Sequence, residues 1–192
     1  MHAKNTKIHN QLRSKYTNIA IANNTGSKEL KVLIVEDHPI VQKELAKTFI
    51  KLNESQDDYL FSMDMAFTCE EALLYLQRPL NHYDLVILDI KLPPFFSKEI
   101  YSGEDIGQWI KNQITPLPKI VIITYINDKQ RIGDILQYLN PDALLIKDDI
   151  TCDILLEAIN NIFEQTPYYS YSASSIARKI ISNNLLLDQL DK

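Results

Sequence analysis

The chain has 192 residues and a mass of 22.2 kDa, enough for one ordinary domain with tails or for two very small domains. Hydrophobic residues make up 45% of the sequence and charged residues 23%, which indicates a globular protein and excludes a largely disordered chain. No apolar run approaches the roughly 20 residues that a helix needs to span a bilayer, so we expect a cytoplasmic protein without a membrane segment.

The net charge of −5 is unevenly distributed along the chain. In residues 1–31, six basic side chains and one acidic side chain give +5, which leaves −10 for the rest of the protein. This pattern predicts a disordered basic leader over residues 1–29, although a basic tail can also contact nucleic acid or an anionic surface. The acidic body argues against nucleic-acid binding by the globular part.

Five short apolar runs predict buried strands. Four are clear, at residues 32–35, 85–88, 120–123 and 143–146, and a weaker run spans residues 60–67. Strands that are apolar on both faces are typical of a parallel sheet that is covered on both sides.

The segments between these runs have apolar residues at helical spacing. Pro39 is well placed near the start of the first helix. Thr68 with Glu71 forms a capping box for the second helix, and Ser102 with Asp105 and Thr151 provide start signals for later ones. The predicted apolar helix positions are Val41, Leu45, Phe49, Leu52, Cys69, Ala72, Leu73, Leu76, Ile106, Trp109, Ile110, Ile132, Ile135, Leu136, Leu139, Leu155, Ala158, Ile159 and Ile162.

A strand followed by a helix is thus predicted five times over residues 31–165. This order indicates an α/β fold with a five-stranded doubly wound parallel sheet of the flavodoxin-like type. We place the domain at residues 30–166. Residues 167–192 form a linker with an amphipathic helical stretch at 173–190, too short for a second domain.

The two cysteines, Cys69 and Cys152, match no metal-ligand spacing. We expect both to be small buried residues of a protein from a reducing compartment.

Polar residues follow four of the predicted strands. Glu36 and Asp37 follow the first strand, Asp89 the third, Thr124 the fourth and Lys147 the fifth. In doubly wound folds the carboxyl ends of the strands hold the ligand chemistry. Clustered carboxylates suit Mg²⁺, while a lysine and a threonine can bind phosphoryl oxygens. Each residue alone could equally be a helix cap or a turn former, and Lys147 could lie in a solvated loop.

With these residues in place, the sequence resembles the receiver domains of two-component response regulators. The resemblance covers about residues 30–165 and rests on four stretches in order, residues 32–39, 85–93, 121–124 and 144–148. It implies the receiver variant of the flavodoxin-like fold.

The resemblance also implies site roles and partners. Asp89 would accept the phosphoryl group, and Asp37 and Asp89 would bind Mg²⁺, with Glu36 assisting through water. The backbone carbonyl of Lys91 would complete the protein ligands. Thr124 and Lys147 would contact the phosphoryl oxygens and report their arrival. The donor would be a sensor histidine kinase or a phosphotransfer protein, and the chain would at most catalyse its own phosphorylation and dephosphorylation.

Two further features are similar to the NarL/LuxR-type branch of the family. These are the Asp-His-Pro after the first strand and the stretch from residue 155 that ends in Tyr-Tyr-Ser at 168–170. Members of that branch usually continue into a helix-turn-helix effector that binds DNA. We therefore expect either a piece of a longer transcriptional regulator, which we favour, or a stand-alone receiver that acts through protein contacts. A phosphorylation-dependent homodimer is expected in either case.

Several positions depart from the family pattern. Tyr125 replaces a usually small residue after the threonine and is expected to restrict access to the phosphoryl group. Leu144 stands where an aromatic switch residue is common. The loop at 94–102 is long and contains Phe95, Phe96, Ile100 and Tyr101, which could cover the site, dock a partner or pack onto a neighbouring helix. Gly133 inside the fourth predicted helix costs about 1 kcal/mol relative to alanine.

Three rival functions are weighed against this interpretation. A haloacid-dehalogenase-type phosphatase needs a second aspartate two residues after the acceptor, where Lys91 stands. A flavin or nucleotide binder would have a glycine- or hydroxyl-rich loop after the first strand instead of Glu36 and Asp37. A degenerate receiver would lack some of the site residues.

Overall fold

The computed structural model describes residues 27–55, 58–79, 81–125 and 128–190, with side chains to residue 182 in the last helix. Most of the predicted basic leader, residues 1–26, lies outside the described residues, and the first strand already begins at Lys28. The strands are β1 (Lys28–Val35), β2 (Tyr59–Ala66), β3 (Leu85–Asp89), β4 (Lys119–Thr124), β5 (Ala143–Ile146) and β6 (Tyr168–Tyr169).

The strands form one sheet in the order β2-β1-β3-β4-β5-β6, and the strand pairs with a described register run parallel. The α/β class and the doubly wound order are therefore confirmed. The predicted number of strands was wrong, because β6 adds a sixth strand beside β5. With only two residues, β6 is too short to produce the apolar pattern by which the other strands were predicted.

Helices connect the strands. They are α1 (Pro39–Ser55), α2 (Cys69–Leu76), α3 (Gly103–Gln113), α4 (Lys129–Asp134), α5 (Cys152–Phe163) and α6 (Tyr171–Leu190). The predicted fourth helix is only partly α-helical, because α4 continues into a π-helical turn at Ile135–Leu139. In the described part of the chain, no helix is both long and apolar enough to cross a membrane.

The predicted helix starts agree with the structure. The hydroxyl oxygens of Thr68, Ser102 and Thr151 accept hydrogen bonds from backbone N–H groups three residues later. These bonds satisfy donors that the first helical turn leaves unpaired. The Glu71 carboxylate completes its capping motif by accepting from the Phe67 N–H at 3.0 Å.

The chain divides within β4 into two compact units, Met1–Ile120 and Val121–Lys192. In the first unit the core is formed by β1, β2, β3 and the inner faces of α1 to α3. In the second unit, β4 and β5 are buried together with apolar residues of α4 and α5.

The cysteines differ in their surroundings. Cys69 is buried at the start of α2, and this burial raises the pKa of its thiol to about 11. Cys152 is only half-buried, so the expectation that both are buried was wrong for this residue. Cys152 opens α5, and the first turn of a surface helix leaves its side chain partly open to solvent.

Candidate functional site

The ends of β1 and β3 bring the predicted acidic residues of the first unit together. These strands pair in parallel, and Val35 of β1 is level with Leu88 of β3. The next residues, Glu36 and Asp89, therefore leave the sheet side by side. Asp37 and His38 continue from β1 before α1 begins at Pro39.

One ligand atom from each of Glu36, Asp37, His38 and Asp89 can be chosen so that all four lie within 4.8 Å of one another. Glu36 and Asp89 are buried, Asp37 is half-buried, and His38 is 61% exposed. The cluster is thus open to solvent on the His38 side and closed on the side of the sheet.

His38 contacts both carboxylates that precede it. Its backbone N–H donates to Glu36 Oε1 at 3.1 Å, and its ring Nδ1 lies 3.1 Å from Glu36 Oε1 and 2.8 Å from Asp37 Oδ1. In the sequence, His38 stands out only as part of the Asp-His-Pro motif. Its position directly after two acidic residues was the signal that it would lie within their cluster.

Close main-chain packing fixes the Asp89 backbone. The Ile90 N–H donates to Asp89 Oδ1 at 2.7 Å, and the Gly103 N–H donates to the Ile90 carbonyl at 3.1 Å. A β-carbon at Gly103 would lie 1.9 Å from the Asp89 carbonyl oxygen, so only glycine fits here. The sequence pattern did not reveal this role, because Gly103 simply begins a helix and the close contact comes from the end of β3.

Gln42 supports the other side of the cluster. Its buried amide Nε2 donates to the Ala66 carbonyl at 3.1 Å and to the Glu36 carbonyl at 3.4 Å. The residue holds the end of β1 to the end of β2 through the first turn of α1. A polar residue three positions before Leu45, on the inner face of the helix, is the sequence signal that could have identified Gln42.

Thr124 and Lys147 belong to the second unit, at the carboxyl ends of their strands. Thr124 is the last residue of β4, Lys147 directly follows β5, and both are buried. Lys147 Nζ lies 5.1 Å from the centroid of the Tyr125 ring, within the range of a cation–π contact. The Tyr125 side chain is still 55% exposed. Ile126, which follows Tyr125 in the sequence, lies outside the described residues.

The loop after β3 carries Lys91 and the aromatic residues singled out by the sequence. The Lys91 side chain is exposed. Phe95 and Ile100 pair in a short antiparallel bridge around a 3₁₀ turn at Phe96–Lys98. Ile100 is buried, whereas Phe96 and Tyr101 are exposed and contact each other edge-to-face with ring centroids 6.0 Å apart.

The donor atoms of the acidic cluster fit a hard divalent cation. Carboxylate oxygens are the preferred protein ligands of Mg²⁺, and a cation offsets the repulsion between carboxylates held this close. Glu36, Asp37 and Asp89 are therefore candidates to hold the metal, while the exposed His38 ring adds a nitrogen donor at the open side.

No family model and no curated protein matches the sequence. Solved structures do match the fold. One is a structure of two RcsB dimers bound to two parallel DNAs, with a TM-score of 0.62 and 21% identity. The match covers 77% of this chain and 66% of that chain. The chain thus spans about two thirds of the length of that DNA-bound protein.

Isolated receiver domains match along nearly their whole length. The non-phosphorylated receiver domain of RcsB from Escherichia coli has a TM-score of 0.59 and 18% identity, over 74% of this chain and 98% of that one. The receiver domain of an HD domain-containing protein from Pseudomonas fluorescens Pf-5 has a TM-score of 0.58 and 19% identity, over 72% and 97%. The chain therefore has the fold of a receiver domain.

Proposed function

We propose that this chain is a response-regulator receiver that accepts a phosphoryl group on Asp89. One observation carries the proposal. Glu36, Asp37 and Asp89 converge at the ends of β1 and β3, with Asp89 buried and Asp37 half open to solvent. In this arrangement Asp89 would act as the nucleophile, and Asp37 and Asp89 would hold the metal with Glu36 assisting.

In the proposed reaction an oxygen of the Asp89 carboxylate attacks the phosphorus of the donor. A bond forms between Asp89 Oδ and phosphorus, and the bond from phosphorus to the donor's leaving group breaks, with its electron pair going to that group. Asp37 and Asp89 would hold Mg²⁺, with Glu36 assisting through water and the Lys91 backbone carbonyl as a further ligand. When bound, the cation would neutralise the charge on the phosphoryl oxygens. The Ile90 N–H on Asp89 Oδ1 orients the carboxylate.

Thr124 and Lys147 are proposed to contact the transferred group. A hydroxyl donates one hydrogen bond to a phosphoryl oxygen, and an ammonium offers both charge and donors. What supports the assignment is that each residue lies at the carboxyl end of its strand, the edge at which folds of this class bind ligands.

The proposed donor is a sensor histidine kinase or a phosphotransfer protein, and the proposed compartment is the cytoplasm. The structures that match the fold include RcsB dimers bound to DNA. Transcriptional output by this protein would require a DNA-binding domain outside the 192 residues, whereas a stand-alone receiver would act through protein contacts.

The test is labelling by radioactive acetyl phosphate in Mg²⁺ buffer. Wild-type protein is expected to take up one acid-stable, base-labile phosphate, whereas Asp89→Asn is expected to take up none. Asp153→Asn, which removes an exposed carboxylate at the start of α5, is the matched control and is expected to label like wild type. Equal labelling of Asp89→Asn and wild type would exclude Asp89 as the acceptor.

A further inference from the structure

The turn that carries Lys147 is short and closely held. Residues Lys147–Asp149 form a single 3₁₀ turn between β5 and α5, in which the Ile150 N–H donates to the Lys147 carbonyl at 3.3 Å. Any group that fixes the two ends of this turn also fixes the direction from which the Lys147 side chain leaves the backbone.

Ser170 connects the two ends of the turn. Its hydroxyl oxygen accepts from the Ile146 N–H at 3.1 Å, and its hydroxyl donates to Asp149 Oδ2 at 2.6 Å. The Ser170 side chain is fully buried, and its own N–H donates to the Leu144 carbonyl at 3.0 Å. One hydroxyl group therefore bridges the residue before Lys147 and the second residue after it.

The same carboxylate holds the start of α6. Asp149 Oδ2 accepts from the Ser172 N–H at 2.9 Å, and Asp149 Oδ1 accepts from the Ser172 hydroxyl at 2.9 Å. A carboxylate on the first N–H groups of a helix is favourable for both hydrogen bonding and the helix dipole. Asp149 thus acts as an N-terminal cap supplied from a distant part of the sequence.

The charge of Asp149 is consistent with this network. Burial alone would raise the pKa of its carboxyl group, but the hydrogen bonds from Ser170 and Ser172 outweigh that effect. The pKa therefore lies below its usual range. The carboxylate form, which can accept all three hydrogen bonds, is the form present at neutral pH.

We infer that Ser170 and Asp149 are positioning residues for Lys147, and that they tie the turn bearing this lysine to the first turn of α6. The inference rests on the proposed function, since Lys147 matters for phosphoryl transfer only if the chain is phosphorylated. It adds two residues from outside the acidic cluster and gives the C-terminal helix a direct connection to the Lys147 turn.

The test compares labelling kinetics of variants in the full chain. Ser170→Ala and Asp149→Asn are expected to lower the maximal rate of labelling by acetyl phosphate about threefold to tenfold, the effect of losing one or two hydrogen bonds. The Mg²⁺ concentration for half-maximal labelling is expected to stay within about twofold of wild type, because neither substitution touches the acidic cluster. Ser174→Ala is the matched control. It removes a hydroxyl in the first turn of α6 that donates to the Tyr169 carbonyl rather than to the Lys147 turn.

Hydrogen exchange adds a measurement that does not depend on phosphorylation. The peptide covering residues 146–149 is expected to exchange faster in Ser170→Ala than in wild type or Ser174→Ala, because the Ile146 N–H loses its acceptor. Asp149→Asn keeps one acceptor oxygen in a residue of the same size. It replaces Ser170→Ala in these measurements if Ser170→Ala does not fold.

The possible results separate a failure of the positioning role of Ser170 and Asp149 from a failure of the proposed function. Wild-type rates and exchange in Ser170→Ala and Asp149→Asn would overturn the inference. So would equal losses of rate in these variants and in Ser174→Ala, which would indicate general destabilisation. A wild-type protein that is not labelled at all would remove the proposed function, and with it the role of Ser170 and Asp149 in phosphoryl transfer.

Discussion

The proposed chemistry depends on three carboxylates that lie at, or directly after, the carboxyl ends of two buried strands. Glu36 and Asp37 follow β1, and Asp89 ends β3, so their closeness follows directly from the pairing of the two strands. This part of the site could be predicted from the sequence, because strand ends in a parallel sheet share an edge. The supporting contacts of Gln42 and Gly103 could not, because they depend on packing between segments far apart in the chain.

The metal prediction concerns Asp37. Removing one of three carboxylates lowers the charge that attracts a divalent cation, so Asp37→Ala is expected to weaken Mg²⁺ binding by at least about tenfold. Isothermal titration calorimetry measures this directly. Glu44→Ala, which removes an exposed carboxylate from α1, is the control and is expected to bind like wild type. Equal affinity in Asp37→Ala and wild type would argue against Asp37 as a ligand.

Tyr125 is expected to prolong the lifetime of the phosphorylated state. The ring lies against Lys147 Nζ and adds bulk directly after Thr124, where it is proposed to obstruct a water in line with the phosphorus. Tyr125→Ala should lose phosphate severalfold faster in Mg²⁺ buffer, and its labelling by small donors should also become faster. The measurement is the decay of labelled protein after the donor is removed. Unchanged or slower decay would show that the ring does not restrict the site.

At the scale of elements, the sequence predicted those parts of the fold that repeat a local pattern. Strands β1 to β5 and the starts of three helices follow from apolar runs and capping residues. The apolar spacing at residues 132–139 predicted a helix, but it does not distinguish the π-helical turn at Ile135–Leu139 from an α-helix. The strand β6 has no such pattern and depends on tertiary contacts, in which the N–H groups of Tyr168 and Ser170 donate to carbonyl oxygens beside and within β5.

Two helical glycines make a matched pair for testing how the elements pack. At Gly103 an added β-carbon would meet the Asp89 carbonyl oxygen at 1.9 Å, whereas at Gly133 it would meet the Ile180 side chain at an ordinary 3.4 Å. Gly103→Ala is expected to destabilise the protein by about 1–3 kcal/mol and to impair labelling, because the Asp89 backbone must move. Gly133→Ala is expected to be stabilising by about 0.4–1 kcal/mol, because alanine favours the helix.

Urea unfolding measures the free energies of unfolding of Gly103→Ala and Gly133→Ala relative to wild type. A Gly103→Ala protein as stable and as readily labelled as wild type would show that α3 does not pack against Asp89 as described. A Gly133→Ala protein less stable than wild type would indicate that the contact between α4 and α6 is tighter than 3.4 Å.

At the scale of the whole molecule, the fold agrees with receiver domains although the sequences share only 18–21% of their residues with this chain. The agreement is therefore carried by the alternation of buried strands and amphipathic helices more than by residue identity. Side chains of the last helix are described only to residue 182, and the predicted amphipathic face at 173–190 extends beyond them.

At this scale we predict that phosphorylation strengthens a homodimer of the chain. A phosphoryl group shifts an association equilibrium only by interacting differently with the two states. Beryllofluoride, which mimics the phosphoryl group, is expected to strengthen self-association roughly tenfold, as measured by sedimentation velocity over a range of protein concentrations. Asp89→Asn in the same buffer is the control and should show no change. Identical association of the wild type with and without beryllofluoride would contradict the prediction.

The central claim is that Asp89 forms an acyl phosphate, and borohydride reduction followed by peptide mass spectrometry tests it most directly. Borohydride reduces an aspartyl phosphate to homoserine and leaves a free aspartate unchanged. After treatment with acetyl phosphate and Mg²⁺, we predict homoserine at position 89 and unmodified aspartate at position 37, with no conversion when Mg²⁺ is removed by a chelator. Homoserine at another aspartate, or none at position 89 in protein that has taken up phosphate, would contradict the assignment of Asp89 as the phospho-acceptor.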